Sequence, residues 1–194
     1  MVLEEQAWSS PAGAMTGEEV LPAEELARIS QRLADAIAER FGDAPGLVLV
    51  GVKRRGDLLA RRLSQLLAER LGREVPVGSL DITLYRDDFD SLSEQPIVGQ
   101  TEIAFPLEGR TVVLVDDVLF TGRTVRAALD ELLDLGRPAR IVLAVLIDRG
   151  GRELPICADI VGQTLTVEPG DQVQVLLSEL DGRDAVILFR AAHP

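Results

Sequence analysis

Residues 112–124 of the 194-residue chain read VVLVDDVLFTGRT, and this stretch holds its densest chemistry. Apolar residues run straight into two adjacent carboxylates, Asp116 and Asp117. At the end of a buried strand such a pair is costly unless something binds it. Thr121-Gly122-Arg123-Thr124 then opens a helix. Backbone N–H groups at a helix N-terminus, two hydroxyls and a flexible glycine make a cradle for phosphate. Carboxylates beside that cradle suit a ligand carrying a phosphate together with hydroxyls or a magnesium ion. A phosphorylated sugar meets these conditions. The bland alternative is that the two acids cap a turn and the Thr-Gly-Arg-Thr run merely starts a helix. Neither the Gly-x4-Gly-Lys nor the Gly-x-Gly-x-x-Gly spacing of nucleotide-binding loops is present.

Two other turns could do chemistry. Lys53-Arg54-Arg55, bracketed by Gly51 and Gly56, is a basic turn, and Lys53 is the only lysine. Asp148-Arg149-Gly150-Gly151 ends an apolar run. The elements that must position these turns follow from apolar spacing. Leu26, Ile29, Leu33, Ile37 and Phe41 recur at helical period, and Gly42 stops them. Residues 47–52 are a continuous apolar run, as in a strand covered on both faces. A second helix buries Leu59, Leu63, Leu66 and Leu67 and ends at Gly72. Residues 77–85 read as a strand, and residues 86–100 as a polar, acidic loop long enough to be a lid. Residues 111–118 and 141–147 are two more buried strands, with a helix over 124–135 closed by Gly136 and Pro138. Further strands are expected at 172–177 and 184–189. The alternation predicts an α/β fold with a mostly parallel sheet covered on both faces. Ligands bind such sheets outside the carboxyl ends of strands, where all three turns fall.

Composition narrows the field. Hydrophobic residues make up 46% and charged residues 27%, a globular balance. The apolar runs are too short to span a membrane as helices, and no secretory signal is visible at the start. Residues 1–25 hold six glutamates and no base, half of the net charge of -12. Residues 1–22 lack apolar period and are expected to be a mobile acidic tail, with the folded domain spanning 23–194. Cys157 is the single cysteine, which excludes an intrachain disulfide and fits a reducing, cytoplasmic setting. His193, the single histidine, is penultimate, which argues against a His-dependent triad.

The string VVLVDDVLFTGRT resembles the phosphoribosyl pyrophosphate (PRPP) signature of the type I phosphoribosyltransferases. With DITLYRDD (81–88), the continuation of the signature through Pro138, and AVLIDRGGRELPICAD (144–159), the chain resembles the PyrR family from about Leu26 to about Arg190. Those proteins are uracil phosphoribosyltransferases that also regulate pyrimidine operon mRNA. The resemblance implies the type I fold with a small hood drawn from parts of 150–194, a homodimer or higher oligomer, and conversion of uracil and PRPP to UMP and pyrophosphate with Mg2+. It implies that Asp116 and Asp117 hold the ribose hydroxyls, and that Leu119, Phe120, Thr121, Gly122, Arg123 and Thr124 bind the 5′-phosphate side of PRPP. Arg55 and Gly56 would serve the pyrophosphate, and Asp148, Arg149 and Gly150 the uracil. Asp117 and Asp148 are the implied metal contacts. Tyr85-Arg86-Asp87-Asp88 would begin a mobile loop, with Arg86 at the reaction.

The chain departs from the family where RNA is engaged. Gly151, Cys157, Gln163 and the stretch Thr166-Val167-Glu168 stand where the family has His, Arg, Lys and Pro-Thr-Ser, and Ala27 and Gln31 replace Thr and His. Arg152 is retained, but residues 151–194 hold three bases against seven acids. Phosphate neutralisation dominates RNA affinity, so an RNA partner is expected to bind weakly. Two other functions compete with the uracil enzyme: an attenuator that only senses UMP or UTP, and a transferase for a purine such as hypoxanthine. Phe120, where purine enzymes place an acid near the base, argues against the second.

Overall fold

A computed structural model describes residues 16–44, 46–85 and 100–191. Along the chain lie β1 (Thr16–Pro22), α1 (Ala23–Phe41), β2 (Val48–Val52), α2 (Arg55–Leu71), β3 (Val77–Leu80) and a 3-10 turn (Ile82–Tyr85). They are followed by β4 (Thr111–Leu119), α3 (Arg123–Leu135), β5 (Arg140–Asp148), β6 (Ile160–Thr164), β7 (Gln172–Leu176), α4 (Ser178–Asp181) and β8 (Ala185–Arg190).

Five strands form a parallel sheet in the order β3-β2-β4-β5-β6. Period-two alternation sends successive residues to opposite faces. Leu49, Val113, Val115, Val142 and Ala144 meet α1 and α2 through Leu26, Ile29, Leu33, Leu59, Leu63 and Leu67. Val50, Leu114, Leu143 and Val145 pack on the other face with Val125, Ala128 and Leu132 of α3. Both faces are therefore covered, and every residue of β2 is buried. That is why β2, β4 and β5 read as unbroken apolar runs rather than alternating ones. From β2 the chain winds outward to β3, and from β4 it winds the other way to β5 and β6. The sheet reverses direction between β2 and β4, and a crevice opens at their carboxyl ends.

A second, antiparallel sheet of order β1-β8-β7 stands beside the first. It corrects the expected tail boundary: residues 16–22 are β1, paired with β8 from Thr16↔Arg190 to Pro22↔Ala185. Glu18 and Glu19 hid this strand in the sequence. The main-chain ladder holds it, Val20 and Leu21 pack on the core, and Gly17 lies flat under Phe189. Arg190–Glu18 and Arg183–Glu19 pairs at 3.6 Å flank it, although exposed pairs of this kind contribute little. Residues 1–15 lie outside the described residues.

The strand expected over 77–85 stops at Leu80. Asp81 Oδ1 accepts the Thr83 N–H at 2.9 Å and its hydroxyl as well, which bends the backbone into the 3-10 turn. β6 was not foreseen, because a short sheet-edge strand containing Gly162 and Gln163 carries little apolar pattern. Residues 86–99, which include Arg86 and all but the last position of the expected loop over 86–100, lie outside the described residues.

Candidate active site

Three turns meet at the crevice. The first begins α2. A Cβ on Gly56 would lie 2.5 Å from the Val115 carbonyl oxygen, so only glycine lets this turn close on β4 beside Asp116. Arg55 is thereby set next to the tandem acids. The Lys53–Arg54 peptide of this turn is cis. Lys53 Nζ donates to the Gln100 carbonyl at 2.6 Å and pairs with Glu102.

The second turn carries the acids themselves. Asp116 is buried, with 5% of its surface exposed. Its Oδ1 accepts the Asp117 N–H at 3.0 Å, and Asp117 Oδ1 accepts the Val118 N–H at 2.9 Å. Burial, reinforced by the Asp117 carboxylate, pushes the Asp116 carboxyl well above its ordinary range. Burial also raises Asp117, against the opposing pull of the Arg55 guanidinium. The pair is uncomfortable when doubly ionised, so a ligand that offers hydroxyl donors or a cation would relieve it. Beyond it, Gly122 takes φ 93° as N-cap of α3, a conformation that suits glycine. Thr121 Oγ1 accepts the Arg123 N–H at 3.3 Å, while Arg123 pairs with Glu153 at 2.7 Å. The Thr121 carbonyl receives N–H groups from Glu153 and Leu154, both at 3.0 Å, which pins the third turn over the cradle.

That third turn leaves β5, where Asp148 is paired across the sheet with Leu119. Asp148 Oδ1 accepts the Gly150 N–H at 2.9 Å and Oδ2 accepts Arg152 Nη2 at 2.5 Å. Burial alone would raise this carboxyl, but the Arg152 hydrogen bond, the Gly150 N–H and the Arg152 charge together hold it below its ordinary value. The Arg149 guanidinium lies 3.9 Å from the centre of the Phe120 ring, a cation–π contact, and burial lowers its pKa.

The structure thus brings together Arg55, Gly56, Asp116, Asp117, residues 119–124 and Asp148–Gly150. Arg86 lies outside the described residues. Sequence reasoning overlooked Arg152 as part of the site. Besides Asp148, its guanidinium donates to the carbonyls of Phe120 (2.8 Å) and Ile156 (3.0 Å), so it staples the third turn to the second rather than facing solvent. The four-residue spacing of Asp148 and Arg152 was the available signal. Asp57 was also missed: it is buried in the first turn of α2, its Oδ1 has no hydrogen-bond partner, and desolvation raises its pKa.

A family model described as "phosphoribosyl transferase domain" matches residues 17–179. Solved structures agree on the fold. The hypoxanthine phosphoribosyltransferase of Trypanosoma cruzi superposes with a TM-score of 0.66 at 19% identity, covering 90% of this chain and 97% of that one. A hypoxanthine-guanine phosphoribosyltransferase of Bacillus anthracis gives 0.62 at 17% identity, over 80% and 86%. At these identities the likeness shows the fold alone.

Curated relatives are far more similar, and each carries the name "Bifunctional protein PyrR". That of Syntrophobacter fumaroxidans is 51% identical over 174 residues, 90% of this chain and 94% of the relative. That of Deinococcus radiodurans is 54% identical over 170 residues, covering 88% and 93%. The chain belongs to the phosphoribosyltransferase family, in its PyrR branch.

Proposed function

We propose that the crevice transfers the phosphoribosyl group of PRPP to uracil, releasing UMP and pyrophosphate. The observation that carries this reading is the Asp116–Asp117 pair, the first buried and the second half-buried, both raised in pKa, beside the Gly122 cradle in a chain of the PyrR branch. Asp116 and Asp117 accept hydrogen bonds from the ribose 2′- and 3′-hydroxyls. The first N–H groups of α3, with Thr121 and Thr124, receive the 5′-phosphate. Arg55, on the turn that Gly56 lets close, faces the pyrophosphate. Asp148, Arg149 and Gly150 border the uracil.

Among the described residues no group of three His, Cys, Asp or Glu side chains could cage a metal ion. The carboxylates at the crevice suit magnesium, which commonly takes one or two carboxylates and completes its shell with substrate oxygens and water. Asp117 would hold it. Asp148 is the weaker candidate, since both its oxygens already serve Gly150 and Arg152. When bound, the ion neutralises charge on the leaving pyrophosphate. The C1–O bond loosens ahead of attack, giving the ribose oxocarbenium character, and the carboxylates hold the ring while that charge develops. Phe120 offers no proton acceptor, and uracil N1 is acidic enough to react without a strong base there.

The test is a base panel: uracil, hypoxanthine, guanine, xanthine and orotate, each with PRPP and magnesium. Turnover of uracil alone is expected. Turnover of a purine without turnover of uracil would overturn the reading.

A further inference from the structure

The pyrophosphate-side arginine is not free-standing. Arg55 Nη2 donates to Asp181 Oδ1 at 2.8 Å and Nε to Oδ2 at 3.3 Å, a side-on, two-pronged contact with α4 across 126 residues of sequence. Both side chains are largely covered, at 24% and 17% exposure. Asp181 is itself fixed, because Oδ2 also accepts the Leu177 N–H at 2.8 Å. A guanidinium has five N–H donors in a rigid plane. The side-on contact uses two, which leaves both Nη1 hydrogens and one on Nη2 for an anion. Arg55 also lies close enough to Asp117 for its charge to offset part of the burial shift there. No ion pair joins Arg55 and Asp117 among the described residues. The guanidinium is therefore bonded to Asp181 while its charge is felt at Asp117.

We propose that Asp181 is a positioning residue for Arg55, aiming the guanidinium's remaining donors at the leaving pyrophosphate and keeping it off Asp117. The inference rests on the reading of Arg55 as a pyrophosphate ligand. A second arginine of α2 ties the same segment down. Arg62, two turns further along α2, holds the same segment through Glu179 at 2.8 Å, Asp184 at 2.9 Å and Ser178 at 3.0 Å. Positioning and docking are thus assigned to different arginines and can be separated.

The experiment is calorimetric titration of magnesium pyrophosphate into the wild type, D181N, R55Q, the double variant and R62Q, with initial-rate kinetics and melting temperatures alongside. Asn at 181 can still accept the Leu177 N–H but presents one oxygen to Arg55 instead of two. The expected result is that D181N weakens pyrophosphate binding and raises the KM for PRPP by about tenfold, the loss of one charge-assisted contact, with a much smaller change in kcat and none in the KM for uracil. D181E should recover part of the loss. D181N should add nothing in the R55Q background, because the two act as a unit. R62Q should lower the melting temperature and leave pyrophosphate affinity alone.

Weakening by R55Q with no effect of D181N would overturn the positioning role, and tighter binding by D181N would show that Asp181 competes with the ligand instead. An R62Q loss of affinity equal to that of D181N would reduce the contact to hood docking. If R55Q itself leaves pyrophosphate binding unchanged, the assignment of Arg55 falls, and the role of Asp181 falls with it.

Discussion

Two carboxylates share a buried strand end, and that sets the energetics of the unliganded protein. An acid whose pKa is raised on folding binds its proton more tightly folded than unfolded. Stability is then full below the unfolded value of about 3.8 and is lost as the pH climbs towards the raised folded value. Asp116 and Asp117 therefore weaken the fold at neutral pH, and Asp148, lowered by Arg152, works in the opposite direction. In the D116N/D117N variant the penalty is removed while hydrogen-bonding shape is kept. Its melting temperature is expected to exceed that of the wild type at pH 7, with the difference shrinking as the pH is lowered towards 4. A difference that grows on acidification would contradict the raised pair. The tandem acids, the Thr-Gly-Arg-Thr run and the Asp148 turn were legible in the sequence, because local spacing carries them. The contacts of Arg152 and the Arg55–Asp181 pair were not, since a guanidinium reaching carbonyls or a partner 126 residues away leaves no periodic trace.

Among the elements, the buried strands and long helices announced themselves through apolar period. β1 and β6 did not, because an edge strand is held by its ladder more than by its side chains. β1 pairs with β8 inside the segment expected to be tail. Deleting residues 1–22 removes β1 and bares the β8 edge, so the melting temperature is expected to fall by several degrees; an unchanged value would show that β1 contributes nothing. The positions where the family is expected to meet RNA lie on neighbouring elements. Ala27 and Gln31 are exposed on α1, and Arg32 reaches the Gly162 carbonyl at 3.1 Å, which places β6 and Gln163 beside them on one face. Cys157 is exposed as well. Weak binding to pyrimidine-operon leader RNA is expected, with C157R/Q163K raising affinity and steepening the log–log salt slope by about 0.7 per new phosphate contact. Gel shifts at varied salt with UMP present decide it, and tight, hairpin-specific binding by the unmodified chain would contradict it. A histidine at 151 is not part of that variant. Gly151 has φ 75°, and a Cβ there would stand 2.5 Å from the Phe120 ring.

For the whole molecule, the reversal of the sheet between β2 and β4 explains why residues far apart in sequence converge. Gly56 brings the α2 turn to β4, and β5 lays Asp148 beside Leu119. No helix among the described residues is long and apolar enough to cross a membrane. At the crevice Arg55 is paired with Asp181 and Arg152 with Asp148, so arginines and carboxylates stand together there within a chain of net charge -12.

We propose that this crevice makes UMP. This is tested most directly by following UMP and pyrophosphate together, with uracil, PRPP and magnesium, for the wild type and for D116N/D117N. Each lost charge-assisted hydrogen bond should cost about 1.5–3 kcal/mol of transition-state binding. The expected result is equimolar UMP and pyrophosphate from the wild type, and loss of both products in a double variant that still folds. UMP formation undiminished in the double variant would contradict the site, and pyrophosphate released without UMP would contradict the reaction.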